Sequence, residues 1–138
     1  MNNYEDKIKK FLENFWIESL YSIINLVFLL FLWHLNRELL STFSSDESLN
    51  LLTYQNGKPI VFFVMTVLSI ICGIIIVISR FKKILYEDPN LTEILYFGLS
   101  VLLISIIIIT LIIAINNPIL RAIVAVISAC TAIVYANN

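Results

Sequence analysis

Three glycines, three prolines, two cysteines and a single histidine are all that this chain of 138 residues holds of those types. With glycine confined to Gly57, Gly73 and Gly98, no glycine-rich loop can cradle a phosphate. His34 has no company of ligands, and Cys72 and Cys130 each fall inside an apolar run without the His or Cys neighbours that zinc requires. Neither cysteine sits in a loop framework, so a structural disulfide is not expected, and both read as small apolar fillers. Charge is scarce too: charged residues make up 14% of the chain, against about 25% in an average soluble domain. The net charge is −1 and no basic stripe is present, which removes nucleic acid from the expected partners. No nucleophile–base pair, paired-carboxylate site or HExxH motif is visible. The chain is therefore not expected to be an enzyme, and no cofactor or metal is expected.

What the chain does have is apolar sequence, 59% of it, gathered into runs. Four such runs lie at about 17–35, 60–79, 94–115 and 118–136. A helix rises 1.5 Å per residue, so about 20 residues cross a hydrocarbon layer of ~30 Å. The third run, "LLISIIIITLIIAI", is rich in β-branched isoleucine, yet the runs are too long and too few for a barrel, and lipid admits no other sheet. The expectation is an all-α integral membrane protein with four transmembrane helices in an antiparallel bundle, its setting a lipid bilayer. Multi-pass insertion in the cell membrane follows, and the isoleucine- and asparagine-rich usage suggests a bacterial cytoplasmic membrane. The first run follows a basic segment, as a signal peptide would, but it is longer than an h-region and lacks a small-residue exit. It reads as an uncleaved first span.

Punctuation supports the boundaries. Pro59 and Pro118 stand at the starts of runs, where a missing N–H costs nothing. Asn117 precedes Pro118 as a candidate N-cap, and "NLTE" from Asn90 to Glu93 reads as a capping box for the third helix, with "DP" at Asp88 and Pro89 reading equally well as cap and first turn. The link 116–118 is so short that the third and fourth helices are expected to form a tight hairpin. The segment 36–59 forms a longer outer loop, in which Ser44 or Ser45 could cap a short helix carrying Leu49, Leu51, Leu52 and Tyr54 before the "NG" turn signal. Residues 80–93 are the expected inner loop. Residues 1–16 form an amphipathic segment, with Ile8, Phe11, Leu12, Phe15 and Trp16 for an apolar side, expected along the inner membrane surface. Grouping alternate flanks places Lys7, Lys9, Lys10, Arg80, Lys82 and Lys83 on one side and Arg37, Lys58 and Arg121 on the other. Both termini are therefore expected in the cytoplasm.

The faces of the helices differ. Ala122, Ala125, Ala129, Ala132 and Ala136 fall at alternating spacings of 3 and 4, which puts them on one stripe. Small residues let backbones approach within lipid, so this stripe predicts burial against a neighbouring helix or a second copy. Ser69 and Gly73, with Thr66, offer a shorter stripe on the second helix, and Gly98 with Ser105 another on the third. The first helix instead carries Asn14, Glu18, Ser22 and Asn25 on one polar stripe. Glu18 lies two residues past Trp16, a belt aromatic, and is expected at the interface within reach of Lys10 or water. Glu18 and Asn25 lining an inner-facing pocket is the competing expectation. His34 and Arg121 are candidate outer-face polar residues, the former an interfacial anchor, the latter snorkelling or pairing with Glu38, Asp46 or Glu47.

Two functions fit these features best, with a membrane enzyme acting on lipid ranked behind both. One is a small accessory, regulatory or immunity-type protein that binds another membrane protein or a membrane-active toxin. The other is a homo-oligomeric transporter or channel that uses the polar stripe of the first helix, its partners being its own copies.

Overall fold

The computed structural model describes residues 2–43, 47–116 and 118–137. It holds four helices: α1 (Asn2–Thr42), α2 (Ser48–Tyr86), α3 (Leu91–Asn116) and α4 (Ile119–Ala136). All four are long and apolar enough to cross a membrane, which gives a helical, multi-pass membrane protein. Ser44, Ser45, Asp46 and Asn117 lie outside the described residues, and the capping and pairing roles expected of them with them.

The helices outrun the apolar runs that seed them. α1 continues without a break through the segment expected to lie along the membrane surface, and at 41 residues it is about 60 Å long. The reason is local: "YEDKIKKFLENFW" has neither glycine nor proline, so the helix propagates. The inner loop shrinks for the same reason. Nothing from Arg80 to Tyr86 breaks α2, and only the approach to Pro89, which disfavours helix in the residue before it, ends the run. The Asn90 carbonyl then accepts from the N–H groups of Glu93 (2.9 Å) and Ile94 (3.2 Å), so α3 starts where "NLTE" places it.

α2 is broken near its start. Tyr54 is extended, and Gln55, Asn56 and Gly57 follow with φ of 46°, 61° and 82°. Three left-handed residues in a row kink the chain, a conformation that glycine adopts without strain and asparagine at modest cost. The "NG" signal thus marks a real turn, with Pro59 opening the long arm behind it. The short arm before the turn delivers Leu51 and Leu52 into a cluster with Leu32, Leu35, Leu39, Ile115, Ile119 and Ala122, drawn from all four helices.

Elsewhere the buried faces are narrow. On α3 the buried residues are Ser100, Ile104, Leu111 and Ile115; Gly98 and Ser105, the expected packing pair, are exposed, and a Cβ on Gly98 would meet nothing within 4 Å. On α2, Thr66 and Gly73 are buried and Ser69 partly so, as the stripe of small residues predicts. On α4 only Ile119 and Ala122 are buried. Ala125, Ala129, Ala132 and Ala136 are exposed, so the chain itself does not bury the alanine stripe beyond its first member. Cys72 and Cys130 are free and exposed rather than core fillers.

Candidate functional site

The polar stripe of α1 turns inward along its whole length. Glu18 is 1% exposed and Asn25 2%. The Glu18 carboxylate accepts three hydrogen bonds: Arg80 donates Nε–H to Oε1 at 2.7 Å and Nη2–H to Oε2 at 2.9 Å, and the Ser100 hydroxyl donates to Oε1 at 2.8 Å. Arg80 Nη2 also donates to the Asn14 carbonyl. The two-pronged guanidinium–carboxylate geometry is the strongest form of this pair, and it fixes the arginine as firmly as the acid. This is the sole ion pair among the described residues. Arg80 thus takes the place of the expected partner of Glu18, Lys10. On an unbroken α1 those residues are eight apart, about 12 Å along the axis, while Arg80 of α2 and Ser100 of α3 face Glu18 directly.

One and two turns further along α1 the polar contacts are uncharged. Tyr21 donates its hydroxyl to the Ser69 carbonyl at 2.9 Å, Ser69 Oγ donates to Asn25 Oδ1, and Asn25 Nδ2 donates to the Tyr21 carbonyl at 2.8 Å. Ser22 donates back to the Glu18 carbonyl at 2.6 Å. Gly73 makes this approach possible: a Cβ there would lie 2.5 Å from Tyr21 Oη and 3.1 Å from Ile104 Cγ2. Glu18, Ser22 and Asn25 each find hydrogen-bond partners within the chain, as buried polar groups in lipid must. Asn25 does not join Glu18 at a pocket; it closes the α1–α2 seam.

Beside the ion pair lies a small recess, about 50 Å³ and open to the outside, between α1, α2 and α3. Asn14, Glu18, Arg80, Lys83, Glu93 and Tyr96 are among the residues that line it. Phe15 is buried at its wall, edge-on to Tyr96 with ring centroids 5.2 Å apart. Arg80 was missed as a site residue because it stands next to Lys82 and Lys83 and reads as one more charge of a basic flank. The signal that could have found it is its place as the first charge after the run 60–79, next to the membrane level of Glu18.

The other end of the bundle is built differently. His34 and Arg121 are exposed, and neither enters an ion pair among the described residues. Glu38, one expected partner of Arg121, instead accepts from the Tyr54 hydroxyl at 3.1 Å. Trp33 is covered on one side by the Arg37 guanidinium, 5.8 Å from the ring centroid. Asn36 donates Nδ2–H to the Ala114 carbonyl at 2.6 Å, while its buried Oδ1 has no partner. Among the described residues no group of three or more His, Cys, Asp and Glu side chains could hold a metal ion.

Comparison with protein-family models, with curated proteins and with solved structures finds no match.

Proposed function

We propose that this chain is an accessory, regulatory or immunity-type membrane protein, one that acts by binding another membrane protein or a membrane-active toxin and performs no chemistry itself. The observation that carries this reading is the second half of α4. From 127 to 137 every residue is exposed, so none of the described residues covers this stretch. Its composition is not that of a surface meant for lipid alone. The exposed positions of α3 are mostly bulky, among them Leu95, Leu99, Leu102, Ile106 and Ile109, with Gly98, Ser105 and Thr110 among the exceptions. In the second half of α4 the small residues Ser128, Ala129, Thr131, Ala132 and Ala136 stand among Ile127, Ile133, Val134 and Tyr135. Small residues gain little from acyl chains and gain most where another helix comes close.

The reading includes an antiparallel arrangement with both termini on the cytoplasmic side of a bacterial cytoplasmic membrane. The lysines of the N-terminal segment and the Arg80–Lys83 cluster supply the positive-inside bias. The homo-oligomeric transporter has less support, because the polar stripe on which it relied is tied up by Arg80, Ser100 and Ser69.

The test is a tagged copy solubilised in mild detergent, with eluted complexes weighed by native mass spectrometry. A different membrane protein in stoichiometric amount, lost on Ala129→Leu with Ala132→Leu, is the expected result. A homo-oligomer that survives those substitutions and loses activity on Glu18→Gln overturns the reading in favour of transport.

A further inference from the structure

We propose that the recess beside Arg80 binds the headgroup of a phospholipid that carries both a phosphate and a primary ammonium. The site goes beyond the partner-binding role and does not depend on it. Its level is set by the sequence. Arg80 is the first charge after the apolar run 60–79, and Glu93 is the last before the run 94–115. The recess between them therefore opens where headgroups lie.

Its chemistry is set by which charges are already used. Glu18 lines the recess, but its carboxylate is neutralised by Arg80 and already accepts from Arg80 and Ser100. Arg80 spends Nε and Nη2 on Glu18 and on the Asn14 carbonyl, and its Nη1 donates to no group among the described residues. That side chain is 24% exposed. Nη1 is thus a donor held rigidly in place before any ligand arrives, which lowers the ordering cost of binding. Lys83 and Glu93 are both exposed on the recess, and they do not pair with each other within 4 Å. The recess then displays a donor pair in Arg80 Nη1 and Lys83, and separately an acceptor in Glu93.

A zwitterion with phosphate on the first and ammonium on the second satisfies both. An anionic glycerol headgroup leaves Glu93 unmatched beside a negative ligand. A quaternary ammonium has no N–H to donate to it. Phe15 and Tyr96 supply an apolar wall for the glycerol and the first methylenes of the acyl chains.

The experiment uses the full chain, delipidated in a neutral sugar detergent. Phosphatidylethanolamine, phosphatidylglycerol and phosphatidylcholine of identical acyl chains are offered together, and bound lipid is counted by native mass spectrometry. Wild type is expected to retain phosphatidylethanolamine in clear excess. Lys83→Ala is expected to weaken retention of all three by about tenfold, the worth of one charge-assisted hydrogen bond. Glu93→Gln is expected to remove the preference for phosphatidylethanolamine while keeping phosphate binding. Both positions are exposed and outside the Glu18–Arg80 pair, so the fold is kept, as circular dichroism will verify. Equal retention of the three lipids by wild type overturns the proposal, as does wild-type behaviour of both variants. Displacement of the lipid by an equal concentration of soluble glycerophosphoethanolamine also overturns it, since the ligand would then be the free headgroup.

Discussion

The two ends of the helical bundle solve the same problem by opposite means. At the Arg80 end, α1, α2 and α3 are held by a buried ion pair, a serine and a backbone carbonyl. At the Trp33 end, all four helices meet in a leucine- and isoleucine-rich cluster closed by the short arm of α2. Ionic contacts are directional and fix the register of three helices. Apolar contacts within lipid compete with acyl chains of similar chemistry, so they hold only where shapes interlock. The difference teaches where specificity resides: the polar end decides which faces meet, and the apolar end decides how tightly.

That contrast can be broken most strongly at its ionic side. Arg80→Ala strands the buried Glu18 carboxylate and is expected to destabilise the protein by about 3–5 kcal/mol, with Glu18→Ala less damaging because the Arg80 side chain is 24% exposed. Reversible unfolding in mixed micelles measures both. Glu18→Leu combined with Arg80→Met should recover most of the loss, because matched apolar replacements of a buried pair are often neutral. A double variant as unstable as either single one would mean that the pair is not what couples these helices.

At the apolar end, Leu39→Ala leaves a cavity in a fully buried site and should cost about 2–5 kcal/mol. If the ends are as independent as their separation implies, Leu39→Ala and Glu18→Ala add. A coupling above about 0.5 kcal/mol would show one cooperative seam instead. Between the ends, Gly73→Ala drives a methyl group against the Tyr21 hydroxyl and is expected to cost about 1–3 kcal/mol. Tyr21→Phe in the same molecule should return part of it by removing the atom in the way. The smallest effect is expected outside both ends: Ala129→Leu should change stability by no more than about 0.5 kcal/mol, since none of the described residues covers it. A large loss there would place a neighbour against α4 within the isolated chain.

Reading the sequence alone succeeded where the property belongs to one helix and failed where it belongs to two. Pro59, the "NG" turn and "NLTE" act on their own backbone, and each appears where the sequence puts it. The inward stripe of Glu18, Ser22 and Asn25 was legible as a stripe because helical period is local. Its partners were not. Lys10 looked nearest to Glu18 along the chain, whereas Arg80 is 62 positions away and is brought there by α2. The alanine stripe of α4 was legible as well, but whether its chain would cover it was not.

The sequence by itself determined four helices, each long and apolar enough to cross a membrane, because length and hydropathy act on each segment independently and lipid leaves the backbone no other choice. Tertiary structure alone decided that Glu18 is sealed by Arg80 and Ser100, that Tyr21 fits against Gly73, and that a recess with one free guanidinium edge opens beside Lys83 and Glu93. Those facts depend on the rotation and depth of each helix against its neighbours. In an all-apolar segment many rotations cost nearly the same, until a few polar contacts between helices select one.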